Sequence, residues 1–287
     1  MNVYVVLILQ MCVASGTHLV AKAVADDVEP FALTMLRNCI AAAGLILIFV
    51  LRERKIRIER ADRGRLFLLG FLAIWLNQFV FLFAMRYTTP ANAALLYAST
   101  PIFVMLISYF MKKETLTTKK IAGVVVAFIG IIVVVFERGL DLGLRYTFGN
   151  MVLLVSVTAW AFYTVLGRSM VLKYGSLQVS ILSMLSGVVL FIPAGGISLA
   201  LFDFSSLTSM HVYGLIYLGL GTSIVSYILW YYALARIEAT RVAIFTNGQP
   251  ILTAILSIVF LHQTITLPFI IGGAITIAGV FLTQRSV

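Results

Sequence analysis

Two basic groups stand inside apolar stretches of this chain, His18 and Arg37, and no Asp or Glu lies deep in any such stretch. They sit eight and eleven residues from Asp26. At about 1.5 Å per helical residue, both reach a similar depth. An arginine in hydrocarbon costs at least about 2.5 kcal/mol and faces a protein interior or a wet cavity. Two roles suit Arg37: binding or gating, and the satisfying of helix-end carbonyls. His18 suits a proton carrier, a substrate hydrogen-bonder or a neutral core imidazole. Lys22 is read as snorkelling to the surface. A second set surrounds two prolines. Tyr97 and Thr100 precede Pro101, and Thr246, Asn247 and Gln249 precede Pro250. A proline in an apolar run deletes a helical hydrogen bond and invites a bend. The freed carbonyls are tolerated in a membrane only against protein or an aqueous cavity. Aromatic pairs three residues apart, Trp160 with Tyr163 and Tyr227 with Trp230, each share a helix face. They suit packing, an interfacial belt or a cavity wall, and Gln78 belongs with them by its position in the repeat described below.

The elements that must carry these groups follow from composition. The 287 residues are 61% hydrophobic and 11% charged, with a mean hydropathy of +1.05. A soluble domain has about 25% charged residues. The apolar residues come in runs of about twenty, the length of a bilayer-crossing helix, so the fold class is an all-α polytopic membrane protein. Helices are expected at about 3–24, 30–51, 66–85, 91–111, 121–136, 150–170, 177–201, 212–235, 239–261 and 268–283. The first run has no Lys or Arg before it and is read as a retained helix, not a signal peptide. The net charge of +10 falls in loops between apolar runs, a topology signal and no nucleic-acid surface. Cys12 and Cys39 lie in different runs and are expected as buried free thiols.

The chain repeats itself. Pro101 matches Pro250 at an offset of 149, which also aligns Leu69-Gly70 with Leu218-Gly219, Gln78 with Tyr227, and Gly123 and Gly130 with Gly272 and Gly279. Near the N-terminus the offset is 145, placing Ser15 opposite Trp160. The four glycines, seven apart on each helix, predict a close-packed scaffold pair. Sixteen of the 21 Lys and Arg fall on one side of the expected topology. Lys22, Arg37, Arg86, Arg138 and Arg145 fall on the other. That bias places both termini in the cytoplasm. An odd number of helices per repeat, about five, then makes the two repeats inverted, a transporter architecture with its site near the midplane.

No glycine-rich nucleotide loop, paired Cys/His spacing or activated nucleophile is present, so neither an enzyme nor a cofactor or metal site is expected. The chain resembles EamA-type members of the drug/metabolite transporter superfamily. The resemblance is carried by Ser15-Gly16, by Pro30 followed by Arg37, by Tyr227 to Leu234, and by the two proline helices. It is carried also by Lys113-Glu114-Thr115-Leu116-Thr117 before Gly123 and by Thr264-Ile265-Thr266 before Gly272. It implies two EamA repeats, residues 1–139 and 147–287, forming a ten-helix carrier with a central cavity. Two positions depart from the pattern: Ser15 stands where tryptophan is common, and Gln263 where the second repeat usually has Glu. The expected function is secondary transport of a small polar metabolite, an amino acid or similar zwitterion or weak anion, across the cytoplasmic membrane. The expected mode is alternating access, as exporter or exchanger. The partners are the bilayer and a small-molecule substrate, no nucleic acid, with the chain taken as a monomer. A polyspecific drug exporter and a non-transporting membrane scaffold or sensor are the alternatives.

Overall fold

Leucine, isoleucine, valine and phenylalanine in unbroken runs bury no face selectively, and the chain forms helices that are apolar all round. The computed structural model describes residues 2–52, 58–136, 144–261 and 267–285, all helical or turn, with no strand among them. Part of the basic stretch after residue 52, most of the polar connector after residue 136, and Gln263, Thr264 and Thr266 lie outside the described residues. The helices are α1 (Val3–Ala25), α2 (Pro30–Arg52), α3 (Arg63–Gly70), α4 (Val80–Met85), α5 (Pro90–Ala98), α6 (Thr100–Phe110) and α7 (Thr118–Phe136). They continue as α8 (Leu144–Tyr174), α9 (Ser176–Ala200), α10 (Ser209–Ile216), α11 (Tyr227–Leu234), α12 (Ala239–Ala243), α13 (Gly248–Leu261) and α14 (Leu267–Gln284). Among the described residues, seven spans are long and apolar enough to cross a membrane, starting at Val3, Pro30, Arg60, Asn92, Thr147, Ser176 and Ser209. A shorter apolar helix covers Ile270–Gln284. The protein is a multi-pass membrane protein.

Two departures from simple helices shape its interior. Between α3 and α4, and again between α10 and α11, the chain runs as wider π-helix, Phe71–Phe79 and Tyr217–Ser226. The proline helices are broken too. α5 ends at Ser99, whose Oγ donates to the Leu96 carbonyl. A 3₁₀ turn, Ile244–Asn247, separates α12 from α13. Pro101 and Pro250 each lie in the first turn of the helix that resumes, where an absent N–H leaves nothing unpaired.

Glycine sets the closest approaches. α7 and α14 run antiparallel with Gly123 against Gly279 and Thr283, and Gly130 against Gly272 and Thr276. A Cβ on Gly279 would overlap the α7 backbone at Ala127. Gly70 meets α9 at Ser183–Gly187, and Gly219 meets α2 at Arg37–Ile40. Cys12 and Cys39, expected as buried thiols, are instead exposed on the bundle's outer surface. In a membrane protein that surface is apolar, so a small hydrophobe sits there at no cost.

One end of the bundle is tied by ion pairs that the sequence had placed in loops. Lys120 is 2% exposed and donates to Glu114 Oε2 at 3.1 Å and Glu238 Oε2 at 2.8 Å. Glu114 Oε1 also accepts the Thr240 N–H at 3.2 Å. Asp62 receives Arg65 at 3.0 Å, Lys173 at 2.7 Å and the Tyr174 hydroxyl at 2.6 Å.

Two substitutions test these contacts. Gly279→Ala forces a methyl into the α7 backbone and lowers stability by about 1–3 kcal/mol. Gly273→Ala, with nothing within 4 Å of the added carbon, is not destabilising and gains up to about 1 kcal/mol of helix propensity. Unfolding in mild detergent measures both, and equal effects would contradict the packing described. By the same assay Lys120→Met, which strands a buried carboxylate, costs about 3–5 kcal/mol, while Lys119→Met at an exposed position is neutral.

Candidate functional site

The two π segments and the two broken helices converge on one internal cavity. It is lined by α1 (Gln10, Ala14, Thr17, His18), by Arg37 of α2, and by Asn77 and Gln78 of the first π segment with Phe81. Tyr97 of α5, Trp160 of α8, Thr222 and Ser226 of the second π segment, Tyr227 and Gln249 complete it. π-bulges are frequent at functional sites because the extra residue per turn re-aims side chains. Here each delivers two polar groups to the same space. The void with its mouth measures about 520 Å³.

The polar groups are knitted together across the bundle. His18 Nε2 is 3.1 Å from Gln249 Oε1, and its ring meets Phe81 and Tyr97 edge-on at 5.7 and 5.5 Å. Gln10 donates to Ser226 Oγ at 2.9 Å, and the Thr17 and Thr222 hydroxyls are 2.9 Å apart. Asn77 is the hub. Its Nδ2 donates to the Tyr97 hydroxyl at 2.8 Å and to Ser156 Oγ at 3.1 Å, and its Oδ1 accepts from the Tyr227 hydroxyl at 3.2 Å. Arg37, 1% exposed, donates from Nη2 to the Leu218 carbonyl at 3.2 Å and to Ser223 Oγ at 2.9 Å. Asn38 donates to Gln78 Oε1 at 3.0 Å.

Three buried nitrogens around the cavity have no hydrogen-bond partner among the described residues: Arg37 Nε, Gln78 Nε2 and His18 Nδ1. With Nε2 donating to the Gln249 carbonyl oxygen, Nδ1 is the imidazole's acceptor. The wall thus offers spare donors and one spare acceptor, and no Asp or Glu among the described residues lines it. No cluster of three or more His, Cys, Asp or Glu suited to a metal occurs among the described residues.

Seven of the twelve candidate side chains meet here: His18, Arg37, Gln78, Tyr97, Trp160, Tyr227 and Gln249. The other five are buried behind the wall. Tyr163 stacks under Trp160 at 5.4 Å, and Trp230 donates to Thr164 Oγ1 at 3.1 Å. Thr246 turns its hydroxyl back to the Ala243 carbonyl at 2.8 Å. Thr100 and Asn247 are fully buried beside the helix breaks. Sequence reasoning passed over Gln10, Thr17, Asn77, Thr222 and Ser226. A signal existed for some of them: Gln10, Ala14, Thr17 and His18 recur at helical spacing on one face. Ser226 is also the repeat partner of Asn77. Ser15, at the position where tryptophan is common, bonds its own helix at the Met11 carbonyl. The cavity therefore has one tryptophan, Trp160, on one side.

Known proteins resemble this chain along nearly its whole length. An uncharacterized transporter of Archaeoglobus fulgidus is 31% identical over 288 residues, covering 98% of this chain and 96% of that protein. The uncharacterized transporter YetK of Bacillus subtilis is 26% identical, over 99% of this chain and 87% of its own length. One solved crystal structure has the same fold, with a TM-score of 0.78 at 19% identity over 98% of this chain and 96% of that one. The sequence pattern of the EamA-like transporter family matches residues 1–136 and 147–285, and the chain belongs to that family.

Proposed function

We propose that the protein is a secondary carrier for a small polar metabolite, an amino acid or similar zwitterion or weak anion, working by alternating access as exporter or exchanger. The observation that carries this reading is the central cavity with unpaired donors at Arg37 and Gln78, an acceptor at His18, and no carboxylate in its wall. A carboxylate substrate answers the Arg37 and Gln78 donors, and a substrate N–H answers His18 Nδ1. A bare cation meets a buried guanidinium and no acid.

The ten-helix inverted repeat belongs to the same proposal, with its halves at residues 1–139 and 147–287, in the cytoplasmic membrane and with both termini inside. Contacts that exchange under the repeat support it. Gly123 meets Gly279 while Gly130 meets Gly272, and the offset of 149 carries one pair onto the other. Gly70 against α9 has its counterpart in Gly219 against α2. Asn77 reaching Ser156 matches Gln10 reaching Ser226, to within one residue. Such exchange is what a twofold axis produces, and halves packed on each other this way can rock about a site between them.

In proteoliposomes, small zwitterionic amino acids should exchange across the membrane while cationic dyes should not; dye transport without amino-acid transport would overturn the reading. With no carboxylate to carry protons, an imposed pH gradient should drive accumulation only through His18. Accumulation that survives His18→Ala would remove His18 from coupling. Replacing both prolines, Pro101→Ala with Pro250→Ala, should slow transport about tenfold, about 1.4 kcal/mol, with folding intact. Full transport in that variant would reduce the two breaks to packing details.

A further inference from the structure

A second cavity lies where α6 ends against α8 and α12, lined in part by Ser108, Lys113, Glu114, Arg168, Ser169 and Leu172. Its free charge is positive. Glu114 is the one acid in its lining among the described residues, and both of that acid's oxygens are engaged, by Lys120 and by the Thr240 N–H. Arg168 uses its Nε on the Ile237 carbonyl at 3.2 Å, and its terminal nitrogens are the part of the fork left for a ligand. Lys113 is exposed and makes no ion pair among the described residues. Ser108 is fully buried, and its hydroxyl has no partner.

Lysines after a helix commonly serve its C-terminal carbonyls, but here the backbone has already done so. Met111 N–H donates to the Ile107 carbonyl, Lys112 N–H to Tyr109, and Lys113 N–H to Ser108 at 2.8 Å. That closure puts Lys112 in the left-handed region, at φ 53°, without a glycine to ease it. The turn folds Lys113 back toward Ser108. A shallower hollow on the far side of the turn shares Lys113 and Glu114 and adds Lys112 and Thr115. Tyr109 and Phe110, 50% and 77% exposed, stand beside it as aromatics do at a membrane boundary.

We propose that this pocket binds a phosphoryl anion, held by the Arg168 fork, Lys113 and the Ser108 hydroxyl. The source that fits is an anionic phospholipid, its headgroup in the pocket and its chains along exposed Leu172 and Phe110. Basic pockets between membrane helices take such headgroups. Free inorganic phosphate has the same chemistry without the chains.

The test is thermal unfolding and native mass spectrometry of the full chain in detergent. It is titrated with phosphatidylglycerol, with phosphatidylcholine of the same chains, and with inorganic phosphate. Phosphatidylglycerol should bind and stabilise, and phosphatidylcholine should do neither. Arg168→Gln and Lys113→Gln should each weaken phosphatidylglycerol binding about fivefold, whereas Lys119→Gln, an exposed lysine outside the pocket, should not. Ser108→Ala should weaken binding without loss of stability, because it removes an unpaired buried hydroxyl. Stabilisation by inorganic phosphate that Arg168→Gln abolishes assigns the site to the free anion; silence toward phosphate with a response to phosphatidylglycerol assigns it to the lipid. Equal binding of the two lipids with no response to phosphate overturns the proposal, as does a Lys119→Gln effect equal to that of the pocket variants.

Discussion

A bilayer offers no hydrogen-bond partner, so every polar side chain carried into it must be answered by the protein or by what the protein binds. That constraint orders this structure from the outside inward. Apolar side chains, and even the two cysteines, are left on the surface. Gln10, Thr17, Asn77, Gln78 and Arg37 are drawn into one central network. Within it nearly every hydroxyl and amide has a partner on another helix, so the network also fixes how those helices lie. The few nitrogens left over are conspicuous because desolvating them costs about 1–3 kcal/mol each with nothing returned. In the proposed carrier a substrate supplies those partners, which is why that reading rests on the spare donors more than on the aromatic wall.

The scaffold and the site obey different symmetries. Glycine contacts exchange between the two halves of the sequence, and the π segments fall in nearly corresponding stretches. The chemistry does not exchange. α1 contributes four lining residues where α8 contributes only Trp160, and Arg37 has no counterpart from α9 in the wall. A one-sided lining offers an asymmetric solute different groups on its two sides. The matched positions Ser15 and Trp160 show the difference, one bonded back to its own helix and the other standing in the wall.

Much of this was legible in the sequence, for a physical reason. Hydrocarbon thickness sets helix length, so run length placed several helix ends, although α8 runs Leu144–Tyr174 where 150–170 was expected and the 91–111 helix breaks at Ser99. Expected and observed ends at Val3, Pro30, Met85 and Leu261 agree to within a residue. Arg37 and His18 stood out because a charged or titratable group in hydrocarbon is costly wherever it sits. What stayed hidden depends on backbone geometry that residue identity does not encode. A π segment leaves no mark as strong as proline, so Asn77 and Thr222 looked like ordinary polar residues in a helix. Periodicity also cannot tell the front of a cavity wall from its back. Tyr163 and Trp230 share helix faces with true lining residues and yet sit one layer behind them.

The ion pairs at the bundle end follow the same logic as the cavity, with the opposite consequence. Lys120 is as buried as Arg37, but its charge is matched by Glu114 and Glu238, both within 3.1 Å. Removing either charge strands the other, so the cluster holds its turns together and has no capacity left for a ligand. Arg37 has only neutral oxygens as hydrogen-bond partners. Its positive charge is solvated but not cancelled, and an anion entering the cavity gains the attraction that Lys120 has already spent. Two equally buried cations are thus separated by what neutralises them. On that ground Lys120 is structural, whereas Arg37 keeps an uncancelled charge at the cavity wall, which is why the proposed carrier is centred on it.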